Sequence, residues 1–310
     1  MSEFSHKPIM LAQCIEGLAI KPDGIYVDGT CGGAGHSIEI AKRLNGGMLY
    51  GLDQDPDAVA VATERLRGLP AKVLHTNFRQ ARQALAAEGV EKIDGVLLDL
   101  GVSSYQLDTA ERGFSYNADA YLDMRMSKEG PSAADLVNSM SVQEITDILR
   151  NYGEEKYAYQ IARKIEARRQ VQQITTTKQL SDIVNSAYPS AERRKSKNPS
   201  RKTFQALRIA VNDELGALHQ ALEEFFDMLN VGGRMCIITF HSLEDRMVKQ
   251  YFKSLAVKCT CPPELPVCVC GGKAKARLIT HKPLVADRQE QRDNRRARSA
   301  KLRIIEKLEY

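Results

Sequence analysis

The sequence predicts an α/β protein, an open doubly wound sheet of mainly parallel strands into which an all-helical domain is inserted. Three observations carry this expectation. Short apolar runs alternate with helix-like segments through the first hundred residues, the pattern of strands joined by crossover helices. The first run, Ile25-Tyr-Val-Asp28, opens into a turn holding Gly29, Gly32, Gly33 and Gly35, where bare backbone can approach a ligand closely. From about Gln106 to Thr203 the strand pattern stops and only helical segments follow.

Taken in order, residues 25–29, 48–53, 72–76 and 93–100 read as strands, and 37–44, 56–66 and 79–87 as the helices between them. Those helices are long enough for right-handed crossovers. The fourth strand is apolar almost throughout, as a strand covered on both faces must be, and carries Asp99 at its carboxyl edge, where ligands of open α/β sheets collect. Within the insertion, 142–150, 154–169 and 177–187 read as helices. Beyond it Phe204, Leu207, Val211, Leu215, Leu218, Leu222, Phe225 and Leu229 recur at steps of three and four, the stripe of a helix lying on a core. Gly232-Gly233 should stop that helix. Residues 234–240 read as the next strand, with 277–281 and 302–305 as a final hairpin-like pair. The expected domains are therefore 1–105, 106–203 and 204–310, the first and last forming one sheet.

The glycine turn and Asp53, which ends the second strand where a carboxylate can accept ribose hydroxyls, together point to a nucleoside ligand. A dinucleotide fingerprint fails, because Ile38 stands where its third glycine is required. Asp28 beside the glycines would repel a pyrophosphate and suits a cationic ligand. S-adenosylmethionine, with a sulfonium and an amino group and no phosphate, meets both conditions. A nicotinamide oxidoreductase is disfavoured on the same grounds. A non-catalytic RNA-binding assembly factor is a second alternative, since a nucleoside pocket and basic blocks would serve it too.

The 310 residues are 43% hydrophobic and 27% charged, an ordinary globular composition. The opening residues lack the features of a signal peptide and no run of eighteen apolar residues occurs, so a cytoplasmic protein without a membrane partner is expected. Seven cysteines suggest reduced thiols. Charge is uneven: residues 271–310 hold 12 Lys and Arg against 5 Asp and Glu, and the rest 32 against 34. A second block, Arg193-Arg-Lys-Ser-Lys-Asn-Pro-Ser-Arg-Lys202, has six basic residues and no acidic one. Two such blocks in a nucleoside-binding protein point to a polyanionic substrate, most simply nucleic acid.

Six ordered motifs then match one family. Asp28-Gly-Thr-Cys-Gly-Gly-Ala-Gly-His36, Leu98-Asp-Leu-Gly-Val-Ser-Ser104, Glu111-Arg-Gly-Phe-Ser115, Leu122-Asp-Met-Arg-Met126, Thr203-Phe-Gln-Ala-Leu-Arg208 and Phe240-His-Ser-Leu-Glu-Asp-Arg246 resemble the signatures of the bacterial 16S ribosomal RNA cytosine-N4 methyltransferases (RsmH, formerly MraW). The resemblance spans nearly the whole chain. It implies a class I S-adenosylmethionine-dependent methyltransferase, Rossmann-like, that methylates N4 of one decoding-region cytosine in 16S rRNA or in the small ribosomal subunit. It also implies cofactor contacts at Ala34, Gly35, His36, Asp53, Phe78, Asp99 and Gln106. Asp53 would take the ribose hydroxyls, Phe78 would offer adenine an apolar surface, and Asp99 and Gln106 would lie near the methionyl part.

The exocyclic amine of cytosine is a poor nucleophile because its lone pair is delocalised into the ring, so acceptors for its hydrogens should help. The usual acidic or amide residue followed by Pro-Pro and an aromatic is absent. Asp99, Ser103 and Ser104 occupy that corner and are the catalytic candidates, with no metal required. Tyr105, Phe114 and Tyr116 are candidates for stacking an extruded base. Tyr105 stands where many relatives have proline, and Ala120-Tyr121 replaces a Gly-Pro step. Cys259, Cys261, Cys268 and Cys270 could hold zinc, but single-residue gaps are tighter than the usual two to four, so structural thiols are expected. His241, Ser242 and Asp245 suggest a hydrolase triad only superficially, since triads arise from separated segments and Ser242 with Asp245 fits a helix capping box.

Overall fold

The computed structural model describes residues 8–195, 198–257 and 272–309. Its contacts divide the chain into two units, one made of the residues up to Gly101 and from Leu215 onward, the other of Val102–Glu214. The first contains the sheet. Its elements begin with α1 (Leu11–Leu18), β1 (Ile25–Asp28), α2 (Gly35–Ala41), β2 (Met48–Asp53), α3 (Pro56–Arg65), β3 (Ala71–His75), α4 (Ala81–Ala87) and β4 (Ile93–Asp99). The four strands fall within a residue or so of their expected limits, because each is an apolar run bounded by glycine, proline or charge. Helix α1 was not legible: eight residues with three buried make too short a stripe.

The second unit is helical, with α5 (Ser104–Asp108), α6 (Ala133–Ser139), α7 (Val142–Gly153), α8 (Ala158–Arg169), α9 (Thr177–Ala187), α10 (Ser190–Lys195) and α11 (Ser200–Asn212). Its core gathers Leu122, Met124, Ile145, Leu149, Ile161, Ile165, Leu180, Val184, Phe204 and Leu207. Each fully buried Leu or Ile of this kind stabilises the unit by about 1.5–3 kcal/mol. The long stripe expected from 204 to 229 is in fact two helices, α11 and α12 (Glu214–Met228), separated at Asp213 with φ 46°. Phe204 and Leu207 therefore belong to the helical core, and the unit extends to Glu214 where the sequence suggested a limit at 203.

The sheet resumes with β5 (Leu229–Thr239), α13 (Ser242–Ala256), β6 (Ala276–Leu278), β7 (Leu284–Val285), α14 (Arg288–Asp293) and β8 (Lys301–Lys307). Gly232-Gly233 does not stop α12, which ends at Met228; the pair lies inside β5, where Gly232 has φ 80° and the β4–β5 register shifts. A bulge, and not a helix stop, is what needs the glycines. Strand order is β3-β2-β1-β4-β5-β8-β6, with β8 antiparallel to β5, β6 and β7.

Alternate side chains of each central strand enter two apolar layers. Val27, Leu52, Val96, Leu98, Met235 and Ile237 face α4, α12 and α13. Tyr26, Leu49, Leu97, Cys236 and Ile238 face α1, α2 and α3. Cys14, Cys31 and Cys236 are buried free thiols, and burial pushes that of Cys236 up to about 12. Cys259, Cys261, Cys268 and Cys270 lie outside the described residues.

Candidate functional site

The site is built at the carboxyl ends of β1, β2 and β4, within the sheet unit. After Asp28 the chain turns sharply, tied by Gly29 N–H to Leu97 O at 2.9 Å and by Cys31 N–H to Leu52 O at 3.0 Å. A Cβ on Gly29 would collide with the Leu98 side chain and press on Phe78 Cβ, so glycine there is a packing requirement. Ala34 caps α2 in the left-handed region, φ 62°. Asp28 is buried and serves the turn itself, accepting from Ser37 Oγ at 2.6 Å and from Thr30 N–H at 3.2 Å. Asp28 therefore shapes the turn, and its charge also acts on Asp53 and Asp99. Its burial raises its pKa, and the adjacent His36 opposes that rise.

Asp53 lies at the end of β2 with each carboxylate oxygen already holding one backbone donor, Gly32 N–H at 2.8 Å and Asp55 N–H at 2.9 Å. A carboxylate has about four acceptor positions, so two remain for ligand hydroxyls. The two amides also fix the carboxylate's plane. Burial outweighs these hydrogen bonds and pushes Asp53 up to about 6. Asp55 meanwhile caps α3, accepting from Asp57 N–H at 3.0 Å with Pro56 in the first turn.

Asp99 ends β4. Its backbone N–H donates to Thr30 Oγ1 at 2.6 Å, so Thr30 fastens β4 to the glycine turn. The side chain is 26% exposed, and its Oδ2 stands 3.9 Å from His36 Nδ1. Oδ1 is buried, and among the described residues nothing hydrogen-bonds to it. An acceptor in that state is fit for a donor brought by a ligand. Burial pushes Asp99 up to about 6; His36 and Arg296 pull it down, while Asp28 and Glu244 push it further up. The Asp28 charge raises both Asp53 and Asp99, and carboxylates gathered in this way suit an amino- and sulfonium-bearing ligand and oppose a pyrophosphate. Phe78 opens a short 3-10 turn after β3 and is half-buried against the core and Gly29, which leaves part of its ring for an apolar contact.

The structure thus brings Ala34, Gly35, His36, Asp53, Phe78 and Asp99 to one end of the sheet unit. Ser103, Ser104 and Gln106 belong to the helical unit. There Ser103 caps α5: its Oγ accepts from Gln106 N–H at 3.1 Å, and Gln106 Oε1 accepts from Ser103 N–H at 3.0 Å. Both side chains therefore have a local structural task. Phe114 is buried in the helical core, and the ring of Tyr116 meets Phe204 edge-on at 5.5 Å, so neither is a free stacking platform; Tyr121 is 47% exposed.

Two of the motif words prove structural. Asp123 and Arg125 form a two-point ion pair at 2.7 and 2.9 Å, and Arg112 Nη2 donates to the carbonyls of Arg125 and Met126. In the last motif the cap of α13 is His241, one residue earlier than expected, with Glu244 Oε2 accepting from Phe240 and His241 N–H. Asp245 is engaged by Arg303 at 2.7 Å and Lys301 at 3.1 Å on β8. A hydrolase triad there is excluded by that engagement. Sequence reasoning missed Thr30, Ser37 and Arg296, whose roles depend on partners distant along the chain or on backbone geometry.

Known proteins resemble this chain along its whole length. Curated relatives named "Ribosomal RNA small subunit methyltransferase H" are 50% identical in Lachnospira eligens over 99% of this chain and 98% of that protein, and 53% identical in Ruminiclostridium cellulolyticum over 99% and 100%. A third, from Paenibacillus sp., is 52% identical over 98% and 100%. With the MraW methylase family model matching residues 3–308, the chain belongs to that family of class I methyltransferases that use S-adenosylmethionine.

Proposed function

We propose that this enzyme methylates N4 of a single decoding-region cytosine in 16S rRNA, either as free RNA or within the small ribosomal subunit. The observation that carries the reading is the Asp99 carboxylate, set at the carboxyl edge of the sheet by the bond from its backbone N–H to Thr30, beside His36, with a buried oxygen open to a donor. The relatives' names support ribosomal RNA of the small subunit as substrate. S-adenosylmethionine supplies an electrophilic methyl group on a sulfonium.

The chain's own residues then do the rest. Asp53 holds the ribose hydroxyls through its two remaining acceptor positions, and Phe78 covers the adenine. Asp99, ionised above about pH 6, accepts a hydrogen from an amine. Holding the acceptor amine in line with the methyl group would account for much of the rate, and transfer from a sulfonium would need no metal. The assignment of Gln106 to the cofactor, and of Ser103 and Ser104 to the cytosine amine, rests on the sequence. We assign the division into a methyltransferase domain and a helical insertion the same functional meaning, the insertion serving RNA. Cytoplasmic residence follows from the substrate; among the described residues no helix is long and apolar enough to cross a membrane.

The test is transfer of labelled methyl groups to small-subunit RNA and to intact subunits, followed by digestion to nucleosides. N4-methylated cytidine at one site is expected. Label on another base, or none on either substrate with cofactor bound, would overturn the assignment.

A further inference from the structure

The chain's N-terminal segment and its basic C-terminal segment are joined across the glycine turn by one peptide group. Ile9 and Met10 share that peptide, and both of its polar atoms are engaged. Ile9 O lies 3.0 Å from His36 Nε2, and Met10 N–H donates to Glu290 Oε1 at 2.6 Å. A carbonyl oxygen only accepts, so the hydrogen is on Nε2. Nδ1 is then the atom presented to Asp99 Oδ2, 3.9 Å away.

The arrangement is over-determined by its surroundings. Met10 is fully buried with φ 52°, a left-handed backbone uncommon outside glycine, and this conformation persists only where neighbours enforce it. Pro8 lies on the turn itself: a Cβ on Gly35 would come within 3.1 Å of Pro8 Cγ. Glu290 is placed by its own element, its N–H bonded to Asp287 Oδ1 at 2.8 Å at the start of α14. His36 and Ile9 are both buried, so water cannot substitute for a lost partner without rearrangement.

We infer that Glu290 is a positioning residue for the cofactor site, acting on His36 through the Ile9–Met10 peptide. Its carboxylate polarises the peptide, which strengthens Ile9 O as an acceptor and holds the imidazole in one tautomer and one orientation beside Asp99. The same design is familiar at metal sites, where a carboxylate or carbonyl behind a histidine fixes which ring nitrogen faces the ligand. One of the 5 carboxylates in this net-basic segment thereby acquires a task distinct from RNA contact. This inference rests on the reading of the turn as the S-adenosylmethionine site.

The experiment uses the full chain, with nitrogen-15 spectra of the His36 ring and calorimetric titration with S-adenosylmethionine. Wild type should show a single tautomer with hydrogen on Nε2. Glu290→Leu should give a mixed tautomer and weaken cofactor affinity about threefold to tenfold, the worth of one hydrogen bond. Glu290→Gln, which keeps an acceptor of the same shape, should retain the tautomer and recover most of the affinity. Should Glu290→Leu not fold, Glu290→Asp shortens the reach and reads the same ring signals. A folded variant without the Glu290 contact whose ring pattern and affinity match wild type would overturn the inference, as would a lowered unfolding temperature with an unchanged ring pattern. Failure of the wild type to bind S-adenosylmethionine would instead count against the cofactor reading, with the tautomer signal still deciding the role of Glu290.

Discussion

Burial at single residues, Asp53 and Asp99, suits the cation-binding role proposed for them. Both are pushed up to about 6 by loss of solvent, against an ordinary value near 3.8. A carboxyl whose folded pKa is raised binds protons more tightly in the folded chain than in the unfolded one. Its contribution to stability is therefore greatest below the unfolded value and is lost as pH rises through about 6. At neutral pH these two groups weigh against the fold, and a cation bound as proposed would offset that cost. Cofactor affinity should consequently fall as pH is lowered from about 7 to 5, with proton release on binding near pH 6; calorimetry in two buffers of different ionisation enthalpy measures it. Asp53→Ala should weaken S-adenosylmethionine by about 1.5–3 kcal/mol, the loss of hydrogen bonds to a charged acceptor, read in the same titration. Asp99→Asn should leave the fold intact and depress turnover; single-turnover rates equal to wild type at saturating substrates would show that its charge is not needed.

Elements are delimited largely by caps. Ser103 with Gln106, Ser132 with Asp135, Ser141 with Glu144 and Thr176 with Gln179 are four capping boxes in the helical unit, and His241 with Glu244 opens α13 in the other. Each satisfies backbone donors that a helix start otherwise leaves open. Thr176→Ala should cost about 1 kcal/mol, within a range of about 0.5–2, seen as a lower urea midpoint with an unchanged slope. The turn that follows Arg112 is more demanding. Gly113 has φ 69°, and a Cβ there would run into the backbone at Tyr121 and Asp123, so Gly113→Ala should destabilise the helical unit by more than the loss of a cap. Thermal unfolding of the two variants side by side compares them.

For the whole molecule, charge placement sets the expectation for RNA. Arg193 and Arg194 are exposed on α10, and Arg295 and Arg298 are exposed after α14. Arg296 differs, because its charge acts on Asp99 and it is half-buried. Neutralising Arg295 and Arg298, or Arg193 and Arg194, should weaken RNA binding while cofactor binding stays as in wild type. Each lost phosphate contact should flatten the dependence of log affinity on log salt by roughly 0.7–0.9, as fewer counterions are released. Filter binding over a salt series measures this. An unchanged slope would mark those arginines as solvated surface.

What the sequence by itself determined was the alternation of strand and helix, the glycine turn with Asp53 and Asp99 at strand ends, and the family. Each is local: an apolar run, a glycine step or a short word is complete within ten or so residues. What only the tertiary structure decided were relations between distant segments. Phe204 and Leu207 share one continuous stripe with Leu218 and Leu222, and only the break at Asp213 and the packing on either side assign them to different cores. The capping role of Ser103 and His241 depends on φ and ψ at one residue. Asp28 resembles a ligand group in sequence yet is consumed by Ser37 and Thr30. Glu290 lies 280 residues from the Met10 amide it accepts, a separation across which periodicity carries no information and only the folded backbone does.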